Sequence, residues 1–389
     1  MKLKKVAEIE LKHNYQKRLL SKGVEYKKID ITRVPHLYRK YSHLFALPKL
    51  VHTIGTNGKG SSGRFLTSML QSKGIRVFHF TSPHIFRFNE RFFLDGGECS
   101  DELLEEADEF LSLEFDSVDL DSLSYFEYSF FLALYISQRA DIALFEAGLG
   151  GEFDATSVLE YELCMVTPIS LDHKEFLGDS LEKIASTKLR AIRSMVVFAP
   201  QKDIVKEVAE KLGLEYITYR DVLSKKELDM IKASAEGRFE EFIASNLLLS
   251  ASAFKKLGYE IEPKHIPLNL ELKGRCQKVA ENLVVDVGHN VAAAEILAKT
   301  FMNKKYNLVY NSLEDKEYQE ILKVFRKMTT KLYIIPIDSP RAVKINLLKD
   351  VATKLRYEVV KNPDFKSQNW LVFGSFYTVE AFLKRVDEG

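Results

Sequence analysis

The sequence predicts an α/β protein built on two mostly parallel sheets, and three observations predict it. From Leu50 onward, short apolar runs alternate with longer amphipathic stretches, which is the pattern of strands buried on both faces with helices packed over them. The alternation occurs in two series, residues 50–199 and 283–373, separated by a stretch holding Pro263, Pro267 and Gly274. A chain of 389 residues is also long enough for two or three domains, each with its own core.

In the first series the expected strands are 50–54, 76–80, 142–146, 163–169 and 195–199. Helical spacing appears around 64–71, 101–111, 126–138 and 181–193, with Asp101 and Ser180 placed like N-caps. In the second series the expected strands are 283–287, 306–310, 331–337 and 370–373, with helices at 292–299, 317–328 and 345–355. The hinge is expected near Asn269–Lys273, giving domains 1–270 and 271–389. No internal repeat or low-complexity tract stands out, and the lysine clusters at 2–5, 225–226 and 304–305 read as solvated surface.

Composition narrows the function classes. Lys plus Arg number 56 against 55 for Asp plus Glu, so no global positive field holds a polyanion, and nucleic acid is not expected as a partner. No apolar run reaches the roughly 18–20 residues that cross a bilayer, and Glu8 and Glu10 interrupt the N-terminus before a leader's apolar region forms. A soluble, unprocessed, cytoplasmic protein is the expectation. Cys99, Cys164 and Cys276 are widely separated, which supplies neither a disulfide framework nor a C-x-x-C metal site.

The most informative stretch is V-H-T-I-G-T-N-G-K-G-S-S, residues 51–62. It follows an apolar strand and opens a helix, as a phosphate-binding loop does. Gly55, Gly58 and Gly60 let backbone N–H groups close around phosphate oxygens, the helix N-terminus adds partial positive charge, and Lys59 can reach the terminal phosphates. Ser61 or Ser62 could meet Mg²⁺. Two positions break the strict Walker pattern: Thr53 stands where the first glycine belongs, and Gly60 separates Lys59 from Ser61. The bland alternative is a glycine-rich turn with a surface lysine.

Other residues gather at the ends of the expected strands. Ser82-Pro83-His84 follows the strand ending at Phe80, at the edge where α/β sheets bind ligands. Glu146 ends the run I-A-L-F-E, where a Walker-B-like acid would hold a metal. His173 follows Leu171 and Asp172, and a lone histidine there is more often structural than a ligand. Asp286 ends L-V-V-D, with His289 and Asn290 just beyond.

Taken together, these stretches resemble the folylpolyglutamate synthase and dihydrofolate synthase family, a branch of the Mur-type ATP-dependent amide ligases. G-T-N-G-K-G-S at 55–61 is followed by T-S-P-H-I at 81–85, F-N-E-R at 88–91 and S-Y-F-E at 124–127. Next come E-A-G-L-G-G-E-F-D-A-T at 146–156 and L-D-H-K-E-F-L-G-D-S-L-E-K-I-A-S-T-K at 171–188. G-R at 274–275, D-V-G-H-N at 286–290, D-S-P-R-A at 338–342 and F-G-S-F-Y at 373–377 complete the set. The matches span roughly 51–377; the first forty residues match only loosely.

The resemblance implies a Mur-ligase-like central P-loop domain followed by a smaller Rossmann-like α/β domain. It implies an ATP site at Gly55, Thr56, Asn57, Gly58, Lys59, Gly60 and Ser61, with Asn246 reading adenine, Asp286 on the ribose side, His289 near the interface and Arg275 on phosphate. It implies two Mg²⁺ sites, Ser82 with Glu146 and Glu146 with His173 and Lys188, and a monovalent cation as a further candidate. Imidazole suits Mg²⁺ poorly without oxygen ligands beside it; the family supplies one by carbamylating the lysine aligned with Lys188. The pterin acceptor is assigned to Ser124, Tyr125, Phe126, Glu127, Phe153, Asp154 and Ala155. Lys59, His173, Lys188 and Arg275 are the expected catalytic residues. Glu152, Ser157 and Val291 depart from the family's usual arginine, asparagine and proline, and the first two bear on substrate preference.

The implied reaction joins L-glutamate to dihydropteroate, to reduced folates, or to both, through an acyl phosphate formed with ATP. The expected working form is a monomer with small-molecule substrates and no membrane partner. Competing readings are a Mur-type ligase for another carboxylate acceptor and a P-loop ATPase or switch. Only about fifty residues precede the loop, too few for the UDP-binding domain of a cell-wall ligase, and no N-K-x-D guanine-reading motif appears, since 303–306 reads N-K-K-Y.

Overall fold

Runs such as I-A-L-F-E and L-V-V can be buried on both faces only if their backbone groups pair on both edges, so the strands carrying them occupy sheet interiors. The computed structural model describes residues 12–23, 30–270, 272–329 and 331–387. The lysine cluster at 2–5, Glu8, Glu10 and Glu271 of the expected hinge lie outside these. In the first sheet the strands are β1 (Lys49–Ile54), β2 (Val77–Phe80), β3 (Phe92–Leu94), β4 (Gly97–Glu98), β5 (Ile142–Glu146), β6 (Leu163–Val166), β7 (Met195–Phe198) and β8 (Tyr216–Thr218). Their order is β4-β3-β2-β5-β1-β6-β7-β8. All run in one direction except β3, which pairs antiparallel with both β2 and β4 and forms an edge hairpin with β4.

The second sheet contains β9 (Gln277–Ala280), β10 (Leu283–Val285), β11 (Asn307–Tyr310), β12 (Lys331–Ile334), β13 (Glu358–Val359) and β14 (Trp370–Phe373), in the order β13-β12-β11-β14-β10-β9. Only β9 is antiparallel. Each sheet has buried clusters of its own: Phe65, Leu66 and Phe254 pack beside one face of the first, Phe130, Phe131 and Phe145 beside the other, and Leu308, Phe325 and Phe373 support the second. Ile85 crosses over, packing with Val285, Val287 and Val379 of the second sheet's cluster.

The expected strands are all present; those expected through 287 and 199 stop at Val285 and Phe198, and two others end early for a shared reason. The strand expected through 169 stops at Val166 and that expected through 337 stops at Ile334; Pro168 and Pro336 lack the N–H a ladder needs. The helix expected from 64 begins at Lys59, directly on the phosphate loop. Ser180 caps its helix as expected, but at the other site the cap is Ser100, whose side chain accepts from the Leu103 N–H, and Asp101 is the first helical residue. The edge hairpin was not expected. It turns through Asp95-Gly96, both at positive φ, the two-residue Asp-Gly turn that marks a hairpin. Between the sheets the chain reverses at Gly274 (φ +66°) and Cys276 (φ +47°). No helix among the described residues is long and apolar enough to cross a membrane.

Candidate active site at the facing sheet edges

Because β1, β2, β5 and β6 run parallel, their C-terminal ends share one edge, and the loops beyond them meet there. The phosphate loop leaves β1. Gly55 adopts φ +135°, and a Cβ there would lie 2.0 Å from Thr167 Oγ1, so only glycine fits. Thr56 both donates to the Ser170 carbonyl and accepts from its N–H, each at 3.1 Å, fastening the loop to the chain beyond β6. Gly58 lies under Asn246, whose Oδ1 would be 2.5 Å from an added Cβ. The helix Lys59–Gln71 starts there, and its first-turn N–H groups have no carbonyl one turn back to bond.

Glu146, 3% exposed, ends β5. One carboxylate oxygen lies 3.8 Å from Lys59 Nζ; the other accepts from the Thr81 hydroxyl and from the Ser82 N–H at 3.3 Å. Lys188 sits in the helix Leu181–Leu189 and donates to the carbonyls of Gly55 (2.9 Å) and Gly150 (3.3 Å). Burial, with the nearby charge of Lys59, lowers its pKa to about 7. His173 adopts φ +50°. Burial among its neighbours lowers its pKa to about 3, so the ring is neutral and a nitrogen lone pair is free to coordinate.

The second sheet presents its own C-terminal edge. Asp286 follows β10 and accepts from the N–H groups of Cys276 (2.8 Å) and Gly288 (2.7 Å), fixing the turn that carries Arg275. Burial raises the Asp286 pKa, against these bonds and the charge of Arg275. The Arg275 guanidinium is 4.8 Å from the centre of the Phe376 ring, and its burial lowers its pKa, opposed by Glu146 and Asp286.

A cavity of about 380 Å³ is lined by residues 55–61 and by Ser82, Glu146, His173, Lys188, Asn246, Arg275, Asp286 and His289. Every residue that the resemblance assigns to ATP or metal lines it, whereas Ser62, the alternative to Ser61 for Mg²⁺, does not. A neighbouring cavity of about 990 Å³ is lined by Ser124, Tyr125, Phe126, Glu127, Phe153, Asp154 and Ala155, the whole expected acceptor set. The two share Ser82, Pro83, Gly148 and His173.

Within the acceptor set the structure separates two kinds of residue. Ser124 and Glu127 form a capping box on the helix Tyr125–Ser137, and Glu127 also accepts from Arg33 at 2.8 Å. They aim the next two side chains: Phe126 packs against Gly148, where a Cβ would come within 2.6 Å of its ring, and the Tyr125 ring lies 5.3 Å from the Arg91 guanidinium. Asp154 is buried and accepts from the N–H groups of Leu149 and Thr156 and from the Thr156 hydroxyl, holding the glycine loop closed. Phe153 is 52% exposed at the cavity.

The donor chemistry fits a divalent cation. A hydroxyl, a buried carboxylate and a neutral imidazole face one space, suited to Mg²⁺ or Mn²⁺ once a further oxygen ligand joins them. Lys188 fits only as its carbamate, and a pKa near 7 leaves the neutral amine that CO₂ requires.

The residues missed in the sequence lie across the interface. Asp172, one of them, accepts from Lys316 (2.6 Å) and Asn290 (3.0 Å) and lies 3.3 Å from His289 Nε2. Burial favours its protonation, but the His289 contact and the nearby Lys316 ammonium hold its pKa well below the usual carboxylate range. Asn57 and Asn290 exchange amide hydrogen bonds of 3.2 and 3.0 Å. Asp172 does stand within the matched segment at 171–188, but nothing in the sequence ties it to Lys316.

No family model matches this sequence. Among curated proteins, the dihydrofolate synthase/folylpolyglutamate synthase of Escherichia coli (strain K12) is 30% identical over 405 residues, covering 96% of this chain and 94% of the relative. Among solved structures, Helicobacter pylori folylpolyglutamate synthetase is 35% identical with a TM-score of 0.73, covering 96% of this chain and 98% of that one. The bifunctional folylpolyglutamate synthase/dihydrofolate synthase of Yersinia pestis, complexed with AMPPNP and Mn, is 22% identical and supports the fold, with a TM-score of 0.79 and coverage of 96% and 97%. With this likeness running the length of the chain, and a phosphate loop and acceptor cavity meeting at one edge, the chain belongs to the dihydrofolate synthase/folylpolyglutamate synthase family of ATP-dependent ligases.

Proposed function

We propose that the chain uses ATP to ligate L-glutamate to dihydropteroate and to reduced folates, through an acyl phosphate. The observation that carries this reading is the wall shared by the two cavities at Ser82, Pro83, Gly148 and His173. A γ-phosphoryl group held by the phosphate loop and a carboxylate entering from the acceptor cavity would meet there.

In this reading Phe126, Phe153 and Tyr125 grip the pterin end, Asp154 keeps the loop beneath it in shape, and the acceptor's carboxylate extends toward His173. The backbone N–H groups of Gly58, Lys59, Gly60 and Ser61 hold the phosphates, those of Thr56 and Asn57 being bonded to the Pro168 carbonyl, and Lys59 and Arg275 place cations where charge spreads during phosphoryl transfer. Ser82, Glu146, His173 and carbamylated Lys188 would hold Mg²⁺, whose charge lowers the barrier to transfer between anions. The glutamate amine then attacks the acyl carbon, and the tetrahedral intermediate collapses to amide and phosphate. Water would destroy the acyl phosphate, which favours a site enclosed between two domains. We assign residues 1–270 to the nucleotide-binding domain and 271–389 to the domain that closes over it. We take the working form to be a monomer in the cytoplasm.

The test is glutamate-dependent phosphate release from ATP, with 7,8-dihydropteroate and tetrahydrofolate offered separately in the presence of bicarbonate and products weighed by mass spectrometry. A glutamyl adduct on both acceptors supports the bifunctional reading, and an adduct on one restricts it. Release on neither removes the folate reading and leaves a ligase for another carboxylate.

A further inference from the structure

We propose that Lys316 is a positioning residue for this reaction, carried in by the second sheet to hold Asp172 and, through it, His173. Lysine is almost never buried unless paired, yet Lys316 is 8% exposed. Its ammonium lies 2.6 Å from Asp172 Oδ1, and each side chain is 6% exposed. A buried ion pair is a poor source of net stability, because desolvation offsets the attraction; its better-attested use is to specify one arrangement over others.

The contacts of Asp172 show which arrangement is specified. Oδ1 accepts from the backbone N–H of His173 at 2.8 Å as well as from Lys316, while Oδ2 accepts from Asn290 and faces His289. Apart from His173, all these partners belong to the second sheet's domain. His173 sits at φ +50°, a left-handed conformation unusual for a residue other than glycine, asparagine or aspartate, and needing support from its surroundings. That support is the Asp172 carboxylate, and the ammonium paired with it, Lys316, comes from the other domain. Asp172, His173 and His289 lie close enough, within 4.8 Å of one another, to resemble a cation site of their own, but the cation on Asp172 is already Lys316. The neighbouring pair Lys174 and Glu317, at 2.8 Å, and the docking of Ile85 bring the same two surfaces together. His173 is therefore set in place when the domains meet, and it lines both cavities.

This inference rests on His173 being a metal ligand, so the experiment measures the ions directly. Mn²⁺ bound in the presence of AMPPNP is counted by electron paramagnetic resonance, after incubation with bicarbonate. The expected result is two ions in the unaltered enzyme and one in Lys316→Met, with AMPPNP affinity changed less than about threefold and turnover lowered about 100-fold. Lys316→Arg, which keeps a cation, should restore the second ion. Asp172→Asn, the second variant, should also lose one ion, and it decides the matter if Lys316→Met does not fold. Two ions in Asp172→Asn or in folded Lys316→Met overturns the role of Lys316 and leaves the two-metal reading intact. One ion in the unaltered enzyme removes the two-metal reading, and the role of Lys316 with it.

Discussion

The amine of Lys188 donates to the carbonyl of Gly55 across 2.9 Å, tying the residue expected to carry CO₂ to the first residue of the phosphate loop. The loop and the lysine thus share one geometry, and a disturbance at either reaches the other.

The lowered pKa of Lys188 has a direction that can be tested. Its value of about 7 lies below the roughly 10.4 of an unfolded lysine, so the neutral amine dominates above pH 7 and the ammonium below. Enzyme stripped of bicarbonate should regain activity on addition of CO₂ about tenfold faster at pH 8 than at pH 6, at equal dissolved CO₂. Time courses of recovery check this; equal rates at the two values would contradict it.

Lys188→Ala and His173→Ala should each lower glutamate-dependent phosphate release by about 10²–10³-fold. Circular dichroism should show the fold intact. Near-normal turnover in either variant would remove that residue from the metal site.

Gly151 packs against the helix carrying Lys188: a Cβ there would lie 2.5 Å from Lys188 Cα and 2.6 Å from its carbonyl oxygen. Both are backbone atoms, so the helix itself must move. Gly151→Ala should destabilise by about 1–3 kcal/mol, as overpacking does, and should lower activity along with it. Urea unfolding measures the first effect and steady-state assays the second.

Asp154 accepts three hydrogen bonds from its own loop, and an amide in its place would turn N–H groups toward N–H donors. Asp154→Asn should lose about 1–3 kcal/mol and raise the KM for dihydropteroate about tenfold, leaving the KM for ATP within about threefold. Initial rates with each substrate varied in turn separate the two; an equal rise in both would mean the loop supports the nucleotide side as well.

Much of this site could be read in the chain because its groups sit where local chemistry places them. Glu146 ends one apolar strand and Asp286 directly follows another, and the glycines of 55–60 open a helix, so order along the chain was enough. The S-x-x-E of Ser124 and Glu127 was also visible; besides lining the acceptor cavity, these two residues cap the helix that presents Tyr125 and Phe126. What the chain hid depends on distant encounters. Lys316 and Asp172 are 144 positions apart, and no periodicity links them. The strands β8 and β13 have three and two residues, partly or fully exposed, too short and too polar to register as apolar runs.

The two sheets rest on largely separate apolar clusters, and the ATP cavity lies where their edges face each other. Nucleotide bound there would act as a staple between two melting units. Calorimetry should then resolve two transitions in the empty protein that merge toward one, at higher temperature, as AMPPNP and Mg²⁺ are added.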